Sequence, residues 1–154
     1  MDKWFTQFHL FLTQRLNGDT AGAKITAGQG RNMLGPLCKN QPDSANLAAA
    51  LSVANAVLGE KEAALKEAER AIMLLPSSKD RVSGPACEEI LAQIQMMVGE
   101  NSGAISTLTR LLQTPYSSWL YWQPITAALL RLDPLWDPLR ADPAFQKLCE
   151  EKQP

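Results

Sequence analysis

The sequence predicts an all-α protein, and three observations carry that prediction. The first is composition: 22 leucines and 20 alanines stand against 10 valines and isoleucines combined. Helices favour Ala and Leu, whereas strands favour β-branched side chains, so the composition argues against an enzyme built on a β-sheet. The second is a repeat: a glycine, small or apolar residues 5, 9 and 12 positions later, then a proline, occurs three times. The third is that apolar residues upstream of each glycine recur at helical spacing.

The length of 154 residues fits one ordinary domain with a real core. Fifteen basic against 16 acidic residues leave a net charge of −1, so no global field draws the chain to nucleic acid or an anionic membrane. The basic residues are scattered, and the stretch 82–109 contains none, which leaves no stripe to neutralise phosphates. The segment Met1-Asp2-Lys3-Trp4-Phe5 lacks the pattern of a signal peptide. The longest apolar run, 47–58, is too short to span a bilayer and reads as a buried helix. A cytoplasmic, water-exposed chain without direct membrane contact is therefore expected, unless it is a piece of a membrane-anchored protein.

The elements follow in order. Trp4, Phe5, Phe8, Phe11, Leu12 and Leu16 form the stripe of a first helix. Gly18 takes a turn, where positive φ is cheap, and Ala23, Ala27 and Gly30 line one face of a second helix that Pro36 is expected to end. Leu47, Leu51, Ala54 and Leu58 mark the next helix; Gly59 turns it into a partner with Ala64, Ala68 and Ala71, ended by Pro76. Ile90, Leu91, Ile94 and Val98 mark the third first-helix, followed by Gly99, Ala104, Leu108, Leu111 and Pro115. Small residues on the second helices let neighbouring helices approach closely. Linkers are expected at 38–44 and 79–84. A further helix is predicted over 119–132, with Trp119, Trp122, Ile125, Ala128, Leu129 and Leu132 on its apolar side; Pro124 kinks it or marks its start. The three pairs Asp133-Pro134, Asp137-Pro138 and Asp142-Pro143 are helix-start signals, which predict a short turn over 134–139 and a last helix over 143–151. A stack of repeats needs its last apolar face capped, and Trp136, Leu139, Phe145 and Leu148 are the residues for it.

On these residues the chain resembles the tetratricopeptide repeat family. The unit 45–78 fits best: Gly59, Ala64, Ala71 and Pro76 occupy signature positions and Leu51 matches the first-helix Leu. Ala48, Ser52, Asn55 and Ala68 depart from the family's Trp, Gly, Tyr and Phe. Units 4–37 and 85–118 match more weakly. The resemblance implies a right-handed superhelix of antiparallel helix pairs in one domain, with helix 119–132 and a cap at 133–152. The stretch 131–146 also resembles the closing segment of many bacterial proteins of this family, which often follows a kinase, cyclase or DNA-binding regulator.

The resemblance places a partner-binding groove on the first helix of each unit: Phe5, Phe8, Leu12 and Arg15; Asn46, Ala49, Val53 and Ala56; Ala86, Glu89, Gln93 and Met96. The family's carboxylate clamp maps to Phe8, Leu12, Ala50, Ala86 and Ile90, none of which holds a carboxylate, so that mode is rejected. An apolar groove suits an amphipathic helix or extended apolar segment. Burial of the same residues by the chain itself or by a second copy is the competing expectation.

No chemistry-bearing pattern emerges. Gly28-Gln29-Gly30 lacks the Lys-Ser/Thr and preceding strand of a phosphate loop. Glu88-Glu89 and Glu150-Glu151 point about 100° apart on a helix and read as solvated faces. His9 has no nucleophile motif nearby, and Cys38, Cys87 and Cys149 form neither a pair nor a metal spacing. The expected function is a non-catalytic protein- or peptide-binding scaffold without cofactor or metal. The alternatives are a regulatory C-terminal part of a bacterial enzyme such as a serine/threonine kinase, or a homo-oligomerisation element, with a homodimer possible.

Overall fold

The computed structural model describes the backbone of residues 3–150 and the side chains of residues 6–150. The side chains of Trp4 and Phe5, and residues 151–152 of the expected cap, lie outside the described set. Every regular element among the described residues is helical. The chain divides into two compact units, Met1–Leu74 and Leu75–Pro154.

The first unit holds α1 (Lys3–Leu16), α2 (Thr20–Asn40), α3 (Ala45–Leu58) and α4 (Lys61–Leu74). Within it α1 packs on α2, α2 on α3, α3 on α4, and α1 on α3. The second unit holds α5 (Gly84–Met97), α6 (Asn101–Leu111), α7 (Ala127–Leu132), a 3-10 helix (Pro134–Leu139) and α8 (Pro143–Glu150). There α5 packs on α6, α7 on α8, and α6 on α8.

The three repeat glycines build one and the same turn. Gly18, Gly59 and Gly99 have φ of 78°, 85° and 85°. Each donates its N–H to the carbonyl three residues back: Arg15 at 3.0 Å, Ala56 at 3.1 Å and Met96 at 3.2 Å. The next residue donates five back: Asp19 to Gln14 at 2.9 Å, Glu60 to Asn55 at 2.9 Å and Glu100 to Gln95 at 2.7 Å. These paired bonds form a Schellman motif, which satisfies the last carbonyls of a helix through a left-handed residue. Glycine holds that conformation without the Cβ penalty. The residues 5, 9 and 12 positions on are buried in all three hairpins: Ala23, Ala27 and Gly30; Ala64, Ala68 and Ala71; Ala104, Leu108 and Leu111.

The helices differ in how they are covered. On α4 the buried residues are confined to one stripe. On α3 only Asn46 is exposed, and on α5 no residue is. A helix apolar on all sides belongs inside, and the alanines of α3 allow close approach from every direction. Its one hydroxyl, Ser52, is satisfied by donating to the Ala49 carbonyl at 2.7 Å.

Two expectations about helix ends need correction. Pro36 does not end α2, which runs on to Asn40, so the irregular linker shrinks to 41–44. The proline removes one donor, to the carbonyl of Asn32, but both residues face water, where solvent takes that bond. The helix expected over 119–132 is confined to Ala127–Leu132. Upstream, Ser118 Oγ accepts the amides of Leu120 and Tyr121 at 3.1 and 3.2 Å, which holds the backbone in a turn. Trp122 then sits at φ 58° and Pro124 has no N–H to give. Thr126 starts the helix by accepting from the Leu129 amide at 3.1 Å. By contrast, the 3-10 helix and α8 begin at the first and third Asp-Pro pairs, whereas Asp137-Pro138 lies inside the 3-10 helix and starts no element. Asp133 accepts from Leu135 N and Asp142 from Ala144 N, each at 2.8 Å. Trp136, Leu139, Phe145 and Leu148 are buried in one cluster with Leu108 and Leu111 of α6.

Glycine substitutions test this geometry. A Cβ at Gly59 would meet nothing within 4 Å, so Gly59→Ala carries only left-handed strain, about 1–2 kcal/mol. At Gly84 a Cβ would lie 2.8 Å from Ser77 Cα, so Gly84→Ala displaces backbone and costs about 2–3 kcal/mol. Urea denaturation of the two variants checks that order, and a Gly84→Ala protein as stable as the parent contradicts it.

Candidate functional site

The positions expected to line a groove are for the most part inside the protein. Phe8 and Leu12 of α1 are buried, with the Phe8 ring edge-on to Phe11 at 5.7 Å. Ala49, Val53 and Ala56 of α3 and Ala86, Glu89, Gln93 and Met96 of α5 are buried as well. Arg15 is half-buried and Asn46 is exposed. The side chain of Phe5 lies outside the described residues. The structure brings two of these residues into contact through polar atoms, Glu89 and Gln93.

Glu88 and Glu89 do not form a solvated face; both are buried, Glu89 to 1% exposure. Each is compensated differently. Glu88 accepts from Ser77 Oγ and forms an ion pair with Arg110 of α6. Glu89 has no cation among its hydrogen-bond partners and is met by hydroxyls of the segment 112–126. Tyr116 OH donates to its Oε2 at 2.6 Å and Ser118 Oγ to its Oε1 at 3.0 Å. Gln93 Nε2 approaches Oε1 at 3.5 Å, and Gln93 Oε1 is buried without a hydrogen-bond partner.

The two hydroxyls are themselves acceptors. Tyr116 OH receives the Ile125 amide at 3.4 Å, and Ser118 Oγ receives the amides of Leu120 and Tyr121. In the segment between α6 and α7, three backbone amides thus reach the Glu89 carboxyl through two hydroxyls, while Ser117 N–H donates to the Val82 carbonyl at 2.9 Å and Tyr121 OH to Asp133 at 2.8 Å. Burial pushes the Glu89 carboxyl up to about 7, although its bonds from Tyr116 and Ser118 pull the other way. The phenol of Tyr116 is held above its ordinary value, first by burial and then by the Glu89 charge. Sequence reading missed this cluster because its members lie 27 and 29 residues apart along the chain.

The other reactive groups are quiet. His9 is half-buried, which lowers its pKa. Cys38 is partly exposed, Cys87 and Cys149 are buried, and all three thiols are free. Burial pushes Cys87 up to about 11, which suppresses its thiolate. Cys149 lines a shallow cleft with Arg131, Arg140, Phe145, Gln146 and Glu150. The two guanidinium charges favour its thiolate, but burial outweighs them and its pKa is raised. Arg140 is occupied by Asp137 and by the carbonyls of Arg131 and Asp133. Among the described residues no three His, Cys, Asp or Glu side chains converge on a metal-sized site, and no helix is long and apolar enough to cross a membrane. Neither a protein-family model nor a curated protein nor a solved structure matches this chain.

Proposed function

We propose that this chain is a non-catalytic protein-interaction scaffold, a right-handed tetratricopeptide-like repeat that docks a protein or peptide segment on the side of its first helices. The observation that supports this reading best is the threefold recurrence of one turn, with the same two hydrogen bonds at Gly18, Gly59 and Gly99. Each turn is followed by a second helix that packs through its positions 5, 9 and 12. Hairpins that repeat in this way present surface by shape and stacking, which suits binding rather than bond-making. Buried side chains such as Phe8 and Val53 fix the frame of that surface in the first unit. The accessible positions, Arg15 and Asn46, meet the partner.

Peptide display followed by calorimetric titration of the selected segment tests the proposal. Saturable binding is expected, weakened tenfold or more by Arg15→Glu together with Asn46→Arg, with melting unchanged within a few degrees. Failure of any segment to bind, or binding untouched by the double variant, contradicts it.

A further inference from the structure

We propose that the cleft between α7 and α8 binds a small organic monocarboxylate, its charge gripped by Arg131 and its apolar body seated on Phe145 and Cys149. The lining carries the inference. Arg131 comes from α7, Arg140 from the end of the 3-10 helix, and Phe145, Gln146, Cys149 and Glu150 from one face of α8. Together they bound about 240 Å³. Pockets for drug-sized ligands hold roughly 300–1,000 Å³, so the occupant here is small.

The two arginines play different parts. All three guanidinium nitrogens of Arg140 donate: Nε to Asp137, Nη1 and Nη2 to the carbonyls of Arg131 and Asp133. Its own carbonyl accepts from Gln146 Nε2 at 2.9 Å. Arg140 is thus a fixed wall that lends charge while its hydrogen bonds are largely committed. Arg131 is the reverse case. Its carbonyl serves Arg140, whereas its exposed guanidinium makes no hydrogen bond or ion pair among the described residues. A planar fork with its N–H groups open matches a carboxylate through two parallel bonds.

An unpaired arginine on an open surface is ordinary; this one borders a rigid apolar floor. Phe145 and Cys149 are buried in the same cluster as Trp136 and Leu148. Charge then decides the class of ligand. Two guanidinium groups stand against one carboxylate, Glu150, and neither pairs with it. Burial raises the pKa of the Cys149 thiol at that floor, and the charges of Arg140 and Arg131 oppose the rise more strongly than Glu150 adds to it. The field there favours an anion over a cation. One negative charge on an apolar body suits the cleft, whereas a phosphate would bring its second charge toward Glu150 and leave the floor uncovered. The site lies wholly in the second unit, so it stands or falls apart from peptide docking at Arg15 and Asn46.

NMR titration of the isotope-labelled protein at low salt tests the site, with benzoate as the probe. Benzoate is expected to shift the amides of Phe145, Gln146 and Cys149 saturably, with a dissociation constant on the order of a few millimolar. Benzamide keeps the ring without the charge, and inorganic phosphate keeps charge without the ring; each is expected to bind about tenfold more weakly or worse. Arg131→Gln should weaken benzoate by about tenfold with melting unchanged, because the side chain is exposed and bonded to nothing. Glu150→Gln removes the opposing charge and should tighten benzoate by about two- to threefold. Absence of a saturable shift, benzamide or phosphate binding as tightly as benzoate, or affinity untouched by Arg131→Gln overturns the site. N-acetylphenylalanine, whose carboxylate ends a peptide unit, is expected to bind more weakly than benzoate; tighter binding would assign the cleft to a chain terminus and overturn the free acid.

Discussion

Val53→Asp is expected to unfold the first unit rather than merely to disable a binding surface. Val53 has no accessible surface, and α3 around it is buried on all sides except at Asn46. An aspartate there must either hold an unpaired charge away from water or stay protonated at neutral pH, and both are expensive. The expected loss is at least about 3 kcal/mol, a large part of a small unit's total stability. Circular dichroism at 222 nm with urea titration reads it. Asn46→Asp on the same helix is the control and should shift stability by less than about 0.5 kcal/mol. A Val53→Asp protein with parental helicity and midpoint would show that the residue faces an open groove after all.

Trp136→Ala is expected to cost about 3–5 kcal/mol, the range for truncating a large aromatic core residue. The indole has no accessible surface and is the largest fully buried side chain among the described residues. It stands in the 3-10 helix, at the centre of a cluster with Leu108, Leu111, Leu139, Phe145 and Leu148. Six residues of 3-10 helix have little stability of their own, so the segment holds its shape through what it buries. Removing the indole leaves a void that α6, α8 and the 3-10 helix do not close without moving. Loss of the near-ultraviolet aromatic signal ahead of the far-ultraviolet one would mark the void. A cost below about 1 kcal/mol would show that the cap is not part of the core.

The parts of this fold that were legible in the sequence are those set by local chemistry. Glycine at 18, 59 and 99 and the alanines 5 residues later specify turns and close packing within a few residues of each other. The Asp-Pro pairs at 133 and 142 specify caps for the same reason: the carboxylate and the amide it accepts are 2 residues apart. The segment 119–126 was misread because Trp119, Trp122 and Ile125 keep helical spacing, while the Ser118 hydroxyl that holds the turn leaves no periodic trace. Pro36 was misread because a proline can sit within a helix where the carbonyl it leaves without a donor, here that of exposed Asn32, faces water. The Glu89 cluster was illegible for a third reason. Two adjacent glutamates in a helix look like surface, and only the return of Tyr116 and Ser118 from another segment makes burial affordable.

Burial also changes how the proposed scaffold binds. The expected groove mixed two kinds of residue that the pattern alone does not separate. Phe8, Leu12, Val53 and Met96 are apolar because they are inside, whereas Arg15 and Asn46 remain accessible. An apolar first-helix stripe is equally compatible with a partner and with the chain's own core, and small alanines at 48, 49 and 50 favour the second by admitting close neighbours.

The repeat itself is tested most directly by an experimental structure that measures the rotation carrying the hairpin α1–α2 onto α3–α4 within the first unit. A tetratricopeptide-like stack requires that rotation to be right-handed. A left-handed rotation would contradict it and leave similar turns in an unrelated helical arrangement.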